Sequence, residues 1–437
     1  MPQTIDDSKG SMRSELKHSI VLMVGTGATA GLSLAYSVFA GRVLGPREFA
    51  DFAAAIALAT FCYTALGPIN GTVARFTAQF AARGELGRIR TLSNRVTRGI
   101  ACYGPLGLVI ALAFVPWLRT ILRFDTVWPL LIAGGMVFLN VLLNVPRGVL
   151  RGAQSFGSYC GNILFEAVTR LLIGIVALLL VADATAGLSA YVGALVLTLI
   201  LSRRQLGRVW GDSEALPVEG AEVIRYAIPM FILLFATAGL QNIDMLFVKH
   251  YFAAAEAGHY GAALTLGRAV NVLVTPFQIL MLPLLTGRYE RGRGIVAPFV
   301  RVCSYFLILA AGLLTCFWLW PNRIMVLLFD TEYVAAAPLL LPLAGLRLAG
   351  FLCYLMGLAA AAMNRFRILW AYLPALIIEA LALLIWHDSM MTVVTVALIV
   401  QITTLVPMAV ILTLSMRAAS PPRYQGDQAP AEPGGVW

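Results

Sequence analysis

Twelve apolar runs, each close to 20 residues long, are spread along this 437-residue chain. They fall at 18–40, 52–73, 99–118, 127–146, 159–181, 184–201, 226–248, 257–285, 297–320, 334–358, 368–386 and 390–415. An α-helix needs about 20 apolar residues to cross the hydrocarbon core of a bilayer. Only 12% of the residues are charged, about half the share found in soluble domains. The sequence therefore predicts an all-α polytopic membrane protein with about twelve transmembrane helices.

The placement of the basic residues predicts how these helices are oriented. If the N-terminus is cytoplasmic, the loops on its side hold 23 of the 32 Lys and Arg residues, and the outer loops hold six. Such an excess in cytoplasmic loops is the positive-inside pattern. We therefore predict that both termini are cytoplasmic. The net charge of +10 is then a topology signal that also favours contact with anionic membrane lipids, and it does not indicate nucleic-acid binding.

An internal repeat divides the chain into two halves. The pentapeptide ATAGL occurs at 28–32 and again at 236–240. From Ala28 to Asn70, eleven of 43 residues are identical to the residue 208 positions later, including Gly31, Glu48 and Pro68. Because six predicted spans precede the second copy, both copies start on the same side of the membrane. This predicts two parallel six-helix repeats related by an axis along the membrane normal.

The predicted organisation follows from the repeat. It consists of a cytoplasmic lead at 1–16, an N-lobe with helices one to six at 17–202, a cytoplasmic linker at 203–224, a C-lobe with helices seven to twelve at 225–416, and a tail at 417–437. The tail is rich in Pro and Gly and is predicted to be disordered and cytoplasmic.

Polar residues recur at helical spacing on the first two helices of each lobe, so that each set shares one helix face. Such a stripe has two interpretations, which are close helix packing and the wall of an aqueous cavity. For Asp244 and Arg268 these become an interhelical ion pair, or a cavity wall on which Arg268 holds an anionic headgroup and Asp244 either tunes Arg268 or binds a coupling cation. The candidate substrate-binding residues are Thr29, Ser33, Asn70, Gln241, Arg268, Asn271 and Gln278, and the candidate ion-coupling residue is Asp244.

Other charged residues also lie inside predicted spans. Glu166 and Arg170 are four positions apart on helix five, which favours an intrahelical ion pair. Arg347 and Glu379 have no partner that the sequence assigns.

The sequence lacks the motifs of a catalytic or cofactor-binding protein. Its four His and six Cys residues show no metal-ligand spacing. It contains no P-loop, nucleophile elbow or dinucleotide-binding fingerprint. We predict a transporter and not an enzyme, with no catalytic residue, metal or cofactor. Uphill transport would then need an ion gradient, a membrane potential or a downstream sink.

Several stretches resemble the Wzx-like polysaccharide flippases of the multidrug/oligosaccharidyl-lipid/polysaccharide (MOP) exporter superfamily. They are GRVLGPREFADF at 41–52, LRGAQSF at 150–156, YAIP at 226–229 leading into GLQNIDMLFV, EAGHYGAA at 256–263, and Pro283. The resemblance implies a MATE-like V of two lobes, with helices one, two, seven and eight around a central cavity and alternating access.

The implied cargo is an undecaprenyl-pyrophosphate-linked oligosaccharide. It would cross the bacterial inner membrane for exopolysaccharide, O-antigen or capsule export, with a polysaccharide polymerase and co-polymerase as candidate partners. An arginine-bearing cavity suits the diphosphate, and amides and hydroxyls suit the glycan. Because helices one and two carry no charge in mid-membrane, the expected cationic cavity is lopsided and rests on Arg268 and Arg347.

Two alternatives stay open at this point. One is a cation-coupled multidrug exporter of the same superfamily. The other is a membrane sugar ligase or polymerase, which would be expected to carry a sizeable outer loop with catalytic residues. Every predicted outer loop is short, which counts against the second alternative.

Overall fold

The computed structural model describes the backbone at residues 3–211, 214, 216–217, 221–270, 281, 285, 288, 295–363 and 366–417, and most of these side chains from residue 21 onward. Two site candidates, Asn271 and Gln278, and the predicted tail from 418 onward lie outside these ranges.

All the regular elements in the described ranges are helices. The α-helices are α1 Gln3–Ala65, α2 Pro68–Ala82, α3 Leu86–Ala113, α4 Val115–Ile121, α5 Trp128–Gly152, α6 Phe156–Leu180, α7 Ala184–Trp210, α8 Ala221–Leu240, α9 Ile243–Tyr251, α10 Ala254–Gly267, α11 Val296–Leu319, α12 Pro321–Leu328, α13 Ala337–Ala362, α14 Leu369–Ile385 and α15 Met390–Arg417. Short 3₁₀ helices cover Thr331–Ala336 and Phe366–Ile368.

Eight of the described helical segments are long and apolar enough to cross a membrane, or nine if α8 and α9 form one bent span. The first segment, Val21–Ala82, has 62 residues and would be about 93 Å long if straight, against a hydrocarbon core of about 30 Å. With this segment counted as two spans, and with the bent pair and the shorter apolar helix α14 each counted as one, the described residues account for eleven of the predicted twelve. Most of the remaining predicted span, at 257–285, lies outside the described residues.

The chain reverses direction at Gly45, which has a φ of 68° and is followed by Pro46. The rings of Tyr36 and Phe52 lie 6.1 Å apart, whereas sixteen residues of straight helix would separate them by about 24 Å. A left-handed φ favours glycine, which lacks a Cβ atom. The turn at Gly45 and Pro46 therefore separates the first span from the second.

Apolar side chains cover the outside of the helices as well as the core. Leu180, Trp370 and Leu327 are 78%, 82% and 72% exposed. A large exposed apolar surface is costly in water but matches the hydrocarbon of a bilayer. These residues therefore mark lipid-facing surface.

The acidic residue shared by the two repeats has a structural role in both. Glu48 accepts a hydrogen bond from the backbone N–H of Ala184 at 3.0 Å, at the start of α7. Its equivalent, Glu256, accepts one from the backbone N–H of Ala253 at 3.2 Å, at the start of α10. Each carboxylate satisfies an N–H group that a helix N-terminus leaves free. The repeated Glu thus caps helices and does not belong to the candidate site.

The two lobes meet at the end of the molecule where α1 reverses at Gly45 and α9 joins α10, which we call the far end. Here Tyr333 donates a hydrogen bond to the carbonyl of Gly41 at 2.8 Å, and the guanidinium of Arg42 donates to the carbonyls of Leu327 and Leu328. The ring of Phe49 packs 5.6 Å from that of Phe329. The lobes are therefore in close contact at the far end.

Candidate functional site

The seventh span is broken in the middle. Helix α8 ends at Leu240, α9 begins at Ile243, and the two helices are bent by 41°. A break leaves backbone carbonyls without helical partners, and in a membrane these must be satisfied by other groups. The carbonyl of Leu240 accepts a hydrogen bond from the amide of Gln401 at 2.7 Å, and that of Gln241 accepts one from Arg347. The break therefore draws polar side chains from α13 and α15 into the lobe.

Asp244 lies in the first turn of α9 and is fully buried. Its Oδ2 accepts a hydrogen bond from the hydroxyl of Tyr260 at 2.8 Å and forms an ion pair with Arg347, which is also buried. The positive N-terminal end of a helix further stabilises a carboxylate in this position. The second carboxylate oxygen, Oδ1, has no hydrogen-bond partner.

Two further buried polar residues lie beside this ion pair. Glu379 on α14 is fully buried, and its Oε2 lies 3.4 Å from the side-chain amide nitrogen of Gln401. Its Oε1 lacks a partner, as does the Oε1 of Gln401. Buried oxygens without a donor are uncommon in native proteins. Here three of them, on Asp244, Glu379 and Gln401, come from three different spans of one lobe.

Arg268 is not the partner of Asp244, so the ion pair considered between these two residues is wrong. Its Nη2 donates a hydrogen bond to the side-chain oxygen of Asn242 at 3.0 Å, and Asn242 is oriented by donating to the carbonyl of Ala238 at 2.8 Å. Arg268 is half-buried. Among the described residues its guanidinium forms no ion pair with a carboxylate, and its hydrogen-bond partner is a neutral amide.

The first lobe contains a charge cluster of its own. The predicted pair of Glu166 and Arg170 is confirmed at 3.3 Å, and Glu166 also pairs with Arg147 at 2.5 Å. Arg170 donates a second hydrogen bond to the hydroxyl of Ser33. Two arginines thus share one carboxylate, which leaves the cluster with a net positive charge.

The positive charge of this cluster comes from α5 and α6 and not from the first two spans. The expectation of a lopsided cationic cavity stays a prediction. Arg347, which was expected to add to the cationic cavity, is instead neutralised by Asp244.

Tyr191 on α7 lies close to arginines of both lobes. The guanidinium of Arg170 is 4.6 Å from the centroid of its ring, a distance typical of a cation–π contact. Arg268, from the other lobe, lies within electrostatic range of Tyr191 and also of Tyr63. Arg170 and Arg268 therefore both lie near Tyr191, and they come from opposite lobes.

The other predicted residues occupy different surroundings. Thr29 donates to the carbonyl of Gly25 in its own helix at 2.8 Å, and Asn70 is half-buried on α2, where its carbonyl packs against Gly148. Gln241 contributes its backbone carbonyl to the bond with Arg347. The structure thus brings Gln241, Asp244 and Arg268 to the broken span and places Ser33 against Arg170. A role for any of them in a cavity wall stays a prediction.

Sequence reasoning did not include Gln401, Tyr260 or Asn242 among the candidates. Gln401 lies inside a long apolar run, and a lone amide in such a run is a signal that could have identified it. Tyr260 and Asn242 carry no comparable signal, because a single Tyr or Asn beside small polar and apolar residues is common in such sequences.

A helical membrane fold of two repeated lobes, with buried charges gathered at a broken span, defines a membrane transporter. Residues 16–286 match the family model described as polysaccharide biosynthesis protein. This match covers more than half of the chain, which therefore belongs to the polysaccharide biosynthesis protein family. No curated protein sequence matches the chain.

Solved structures show the same fold. A multidrug resistance MATE family transporter of the MOP superfamily in an inward-facing conformation has a TM-score of 0.69 at 10% identity, covering 92% of this chain and 99% of that one. An outward-facing structure of a multidrug resistance MATE family transporter has a TM-score of 0.68 at 13% identity, covering 92% and 96%. A MOP superfamily transporter from Pyrococcus furiosus has a TM-score of 0.64 at 13% identity, covering 91% and 96%. The predicted all-α, two-lobed MOP fold is confirmed.

Proposed function

We propose that this protein is a flippase that moves undecaprenyl-pyrophosphate-linked oligosaccharide across the bacterial inner membrane by alternating access. The membership of the polysaccharide biosynthesis family and the transporter fold support this proposal. The observation that carries it furthest is the half-buried Arg268 beside the broken span, bonded to the neutral Asn242. A cation kept in the membrane without a described carboxylate partner is costly unless an anion or water reaches it.

The charge distribution suits a diphosphate. Arginine donates several N–H groups in a planar fork that matches phosphate oxygens. Arg268 would bind the headgroup from the C-lobe, and the net positive cluster of Arg147, Glu166 and Arg170 would attract it from the N-lobe. Tyr63 and Tyr191 offer rings and hydroxyls to sugar residues. Thr29, Ser33, Asn70, Gln241, Asn271 and Gln278 are the proposed hydrogen-bonding residues of the same cavity.

The buried charges of the C-lobe suggest how transport is coupled to an ion gradient. Asp244 and Glu379 are two buried carboxylates, and among the described residues Asp244 is paired with Arg347 whereas Glu379 has no ion-pair partner. An ionised Glu379 would therefore be a buried, uncompensated charge, which is strongly unfavourable. A bound proton or monovalent cation would remove that cost, and the three unpartnered oxygens are suitable ligands. We propose Asp244, with Glu379 and Gln401, as the ion-coupling site.

A cation-coupled multidrug exporter is the second candidate function. It is favoured by the structural likeness to multidrug resistance transporters, which shows the fold. The two functions predict different cargoes for the same cavity, because a drug exporter of this kind needs no site for a diphosphate.

Substitution of Arg268 distinguishes the two functions in a polysaccharide-producing host. Arg268→Ala should reduce surface polysaccharide at least about tenfold, since it removes charge-assisted hydrogen bonds to the headgroup, while the amount of protein in the membrane stays normal. The matched control is Arg301→Ala, which removes an exposed arginine from α11 and should leave the polymer unchanged. Normal polysaccharide in the Arg268→Ala strain would contradict the flippase proposal. A change in drug resistance alone would favour the exporter.

A further inference from the structure

A buried ion pair connects the two lobes at the far end. Lys249, in the last turn of α9, is 2% exposed, and its Nζ lies 2.5 Å from Oδ1 of Asp51. Asp51 belongs to the other lobe, just after the turn at Gly45. This pair therefore spans the interface between the lobes and is shielded from solvent on both sides.

The groups that surround the ammonium of Lys249 belong to the N-lobe. Besides the contact with Asp51, the ammonium group lies 5.4 Å from the centroid of the Phe124 ring, also in the N-lobe. The carboxylate of Asp51 is held from its own side by a hydrogen bond from the backbone of Asp125. Both described contacts of the ammonium group are thus with the opposite lobe, so the lysine connects the lobes and does not stabilise its own.

A second contact lies next to the ion pair. The Nδ1 atom of His250 is 2.5 Å from the carbonyl oxygen of Ile121, again across the lobe interface. Two consecutive residues of α9 therefore contact the other lobe, His250 at the last residue of α4 and Lys249 at Asp51 of α1. Separating the lobes at the far end breaks both contacts.

Charged and apolar contacts behave differently when the lobes separate. Apolar contacts, such as that of Phe49 with Phe329, favour only the closed arrangement, because opening exposes their surface to water. A buried ion pair loses hydration on closing and gains Coulomb attraction, and these two terms nearly cancel. On opening, each charge recovers water as it loses its partner. Such a pair therefore favours one alignment of the two lobes when they are closed, and it still allows the lobes to separate.

We propose that Asp51 and Lys249 form a reversible latch that holds the far end closed and separates when this end opens. The positive-inside pattern predicts that the far end is the extracytoplasmic end, so the latch would close the cavity to the outside. This inference rests on the alternating-access part of the proposed function and does not depend on the cargo.

The latch can be tested without any cargo, so that its failure is distinguishable from failure of the flippase proposal. Spin labels are placed at Thr126→Cys and Ala255→Cys, two exposed far-end positions in opposite lobes, after replacement of the six native cysteines. Distances between the labels are measured by electron–electron double resonance in lipid nanodiscs. The variants are Asp51→Asn, Lys249→Gln and the charge-swapped double variant Asp51→Lys, Lys249→Asp.

Each single substitution should lower the ratio of short to long distances by roughly tenfold or more, because it leaves a buried charge without its partner when the lobes close. The charge swap should recover most of the closed population.

The control is Arg47→Gln, which removes an exposed ion pair with Asp125 within the N-lobe and should change nothing. Single variants that behave like this control, or a charge swap that stays as open as the single variants, would overturn the latch. If a single variant does not fold, the label distances in the charge-swapped variant are compared with those in the unsubstituted protein. A charge-swapped variant that does not fold either would also overturn the reversible latch.

Discussion

Asp244 in α9 is ion-paired with Arg347 in α13, 103 residues further along the chain, while Arg268 bonds to the amide of Asn242. The two arginines of the C-lobe therefore have different roles. Arg347 neutralises a buried carboxylate and satisfies the carbonyl of Gln241 at the helix break. Arg268 forms no ion pair among the described residues, and we propose that it binds the anionic headgroup of the cargo. The proposed separation of ion coupling from headgroup binding follows from this arrangement.

Removal of Arg347 should destabilise the protein more than removal of an exposed arginine. Arg347→Met leaves Asp244 buried without its counter-charge, which costs about 3–5 kcal/mol in comparable buried pairs. The expected result is a clearly lower midpoint of thermal unfolding in detergent, with partial recovery in the double variant Asp244→Asn, Arg347→Met. Arg323→Met, at an exposed position on α12, is the control and should unfold like the unsubstituted protein. Equal midpoints for Arg347→Met and the control would show that the ion pair contributes little.

The proposed coupling site predicts a loss of gradient dependence. Glu379→Gln and Asp244→Asn each remove a carboxylate that would bind the driving ion. In proteoliposomes, the transport rate of either variant should be the same with and without a proton or sodium gradient, whereas the unsubstituted protein should respond to one of them. Asp330→Asn, at an exposed far-end residue, should retain the response. A variant of Glu379 or Asp244 with an unchanged ion response would remove that residue from the site.

Close backbone contact at the far end predicts a strong effect of one methyl group. A Cβ atom added to Gly258 would lie 1.7 Å from the carbonyl oxygen of Pro46 in the other lobe. Because the added Cβ atom would overlap the backbone carbonyl of Pro46, Gly258→Ala should prevent full closure of the far end. We expect it to reduce transport at least about tenfold. Gly157→Ala, whose added Cβ meets nothing within 4 Å, is the matched control. Normal transport by Gly258→Ala would mean that the far end need not close this tightly during the cycle.

Local sequence patterns predicted the fold well. Span length depends on residues near one another in the chain, and the ion pair of Glu166 with Arg170 depends on helical spacing alone. The fold class and this ion pair are accordingly confirmed.

The partners within the site could not be predicted in the same way. Helical spacing predicts that Asp244 and Arg268 lie on consecutive spans. It does not predict which faces of these spans meet or which other helices pack against them. The ion pair of Asp244 involves the tenth span, and the contact of Glu379 involves Gln401 from the twelfth. The break between Leu240 and Ile243 contains no Gly or Pro and gave no sequence signal, although it determines where Arg347 and Gln401 are needed.

Reconstitution with the proposed cargo tests the central proposal most directly. The purified protein is placed in proteoliposomes that contain undecaprenyl-pyrophosphate-linked oligosaccharide, and movement of the glycan between leaflets is followed by its accessibility to a lectin or glycosidase outside. The flippase proposal predicts that the protein accelerates this movement and that Arg268→Ala, but not Arg301→Ala, abolishes the acceleration. A rate equal to that of protein-free liposomes, together with export of cationic drugs by the same preparation, would contradict it.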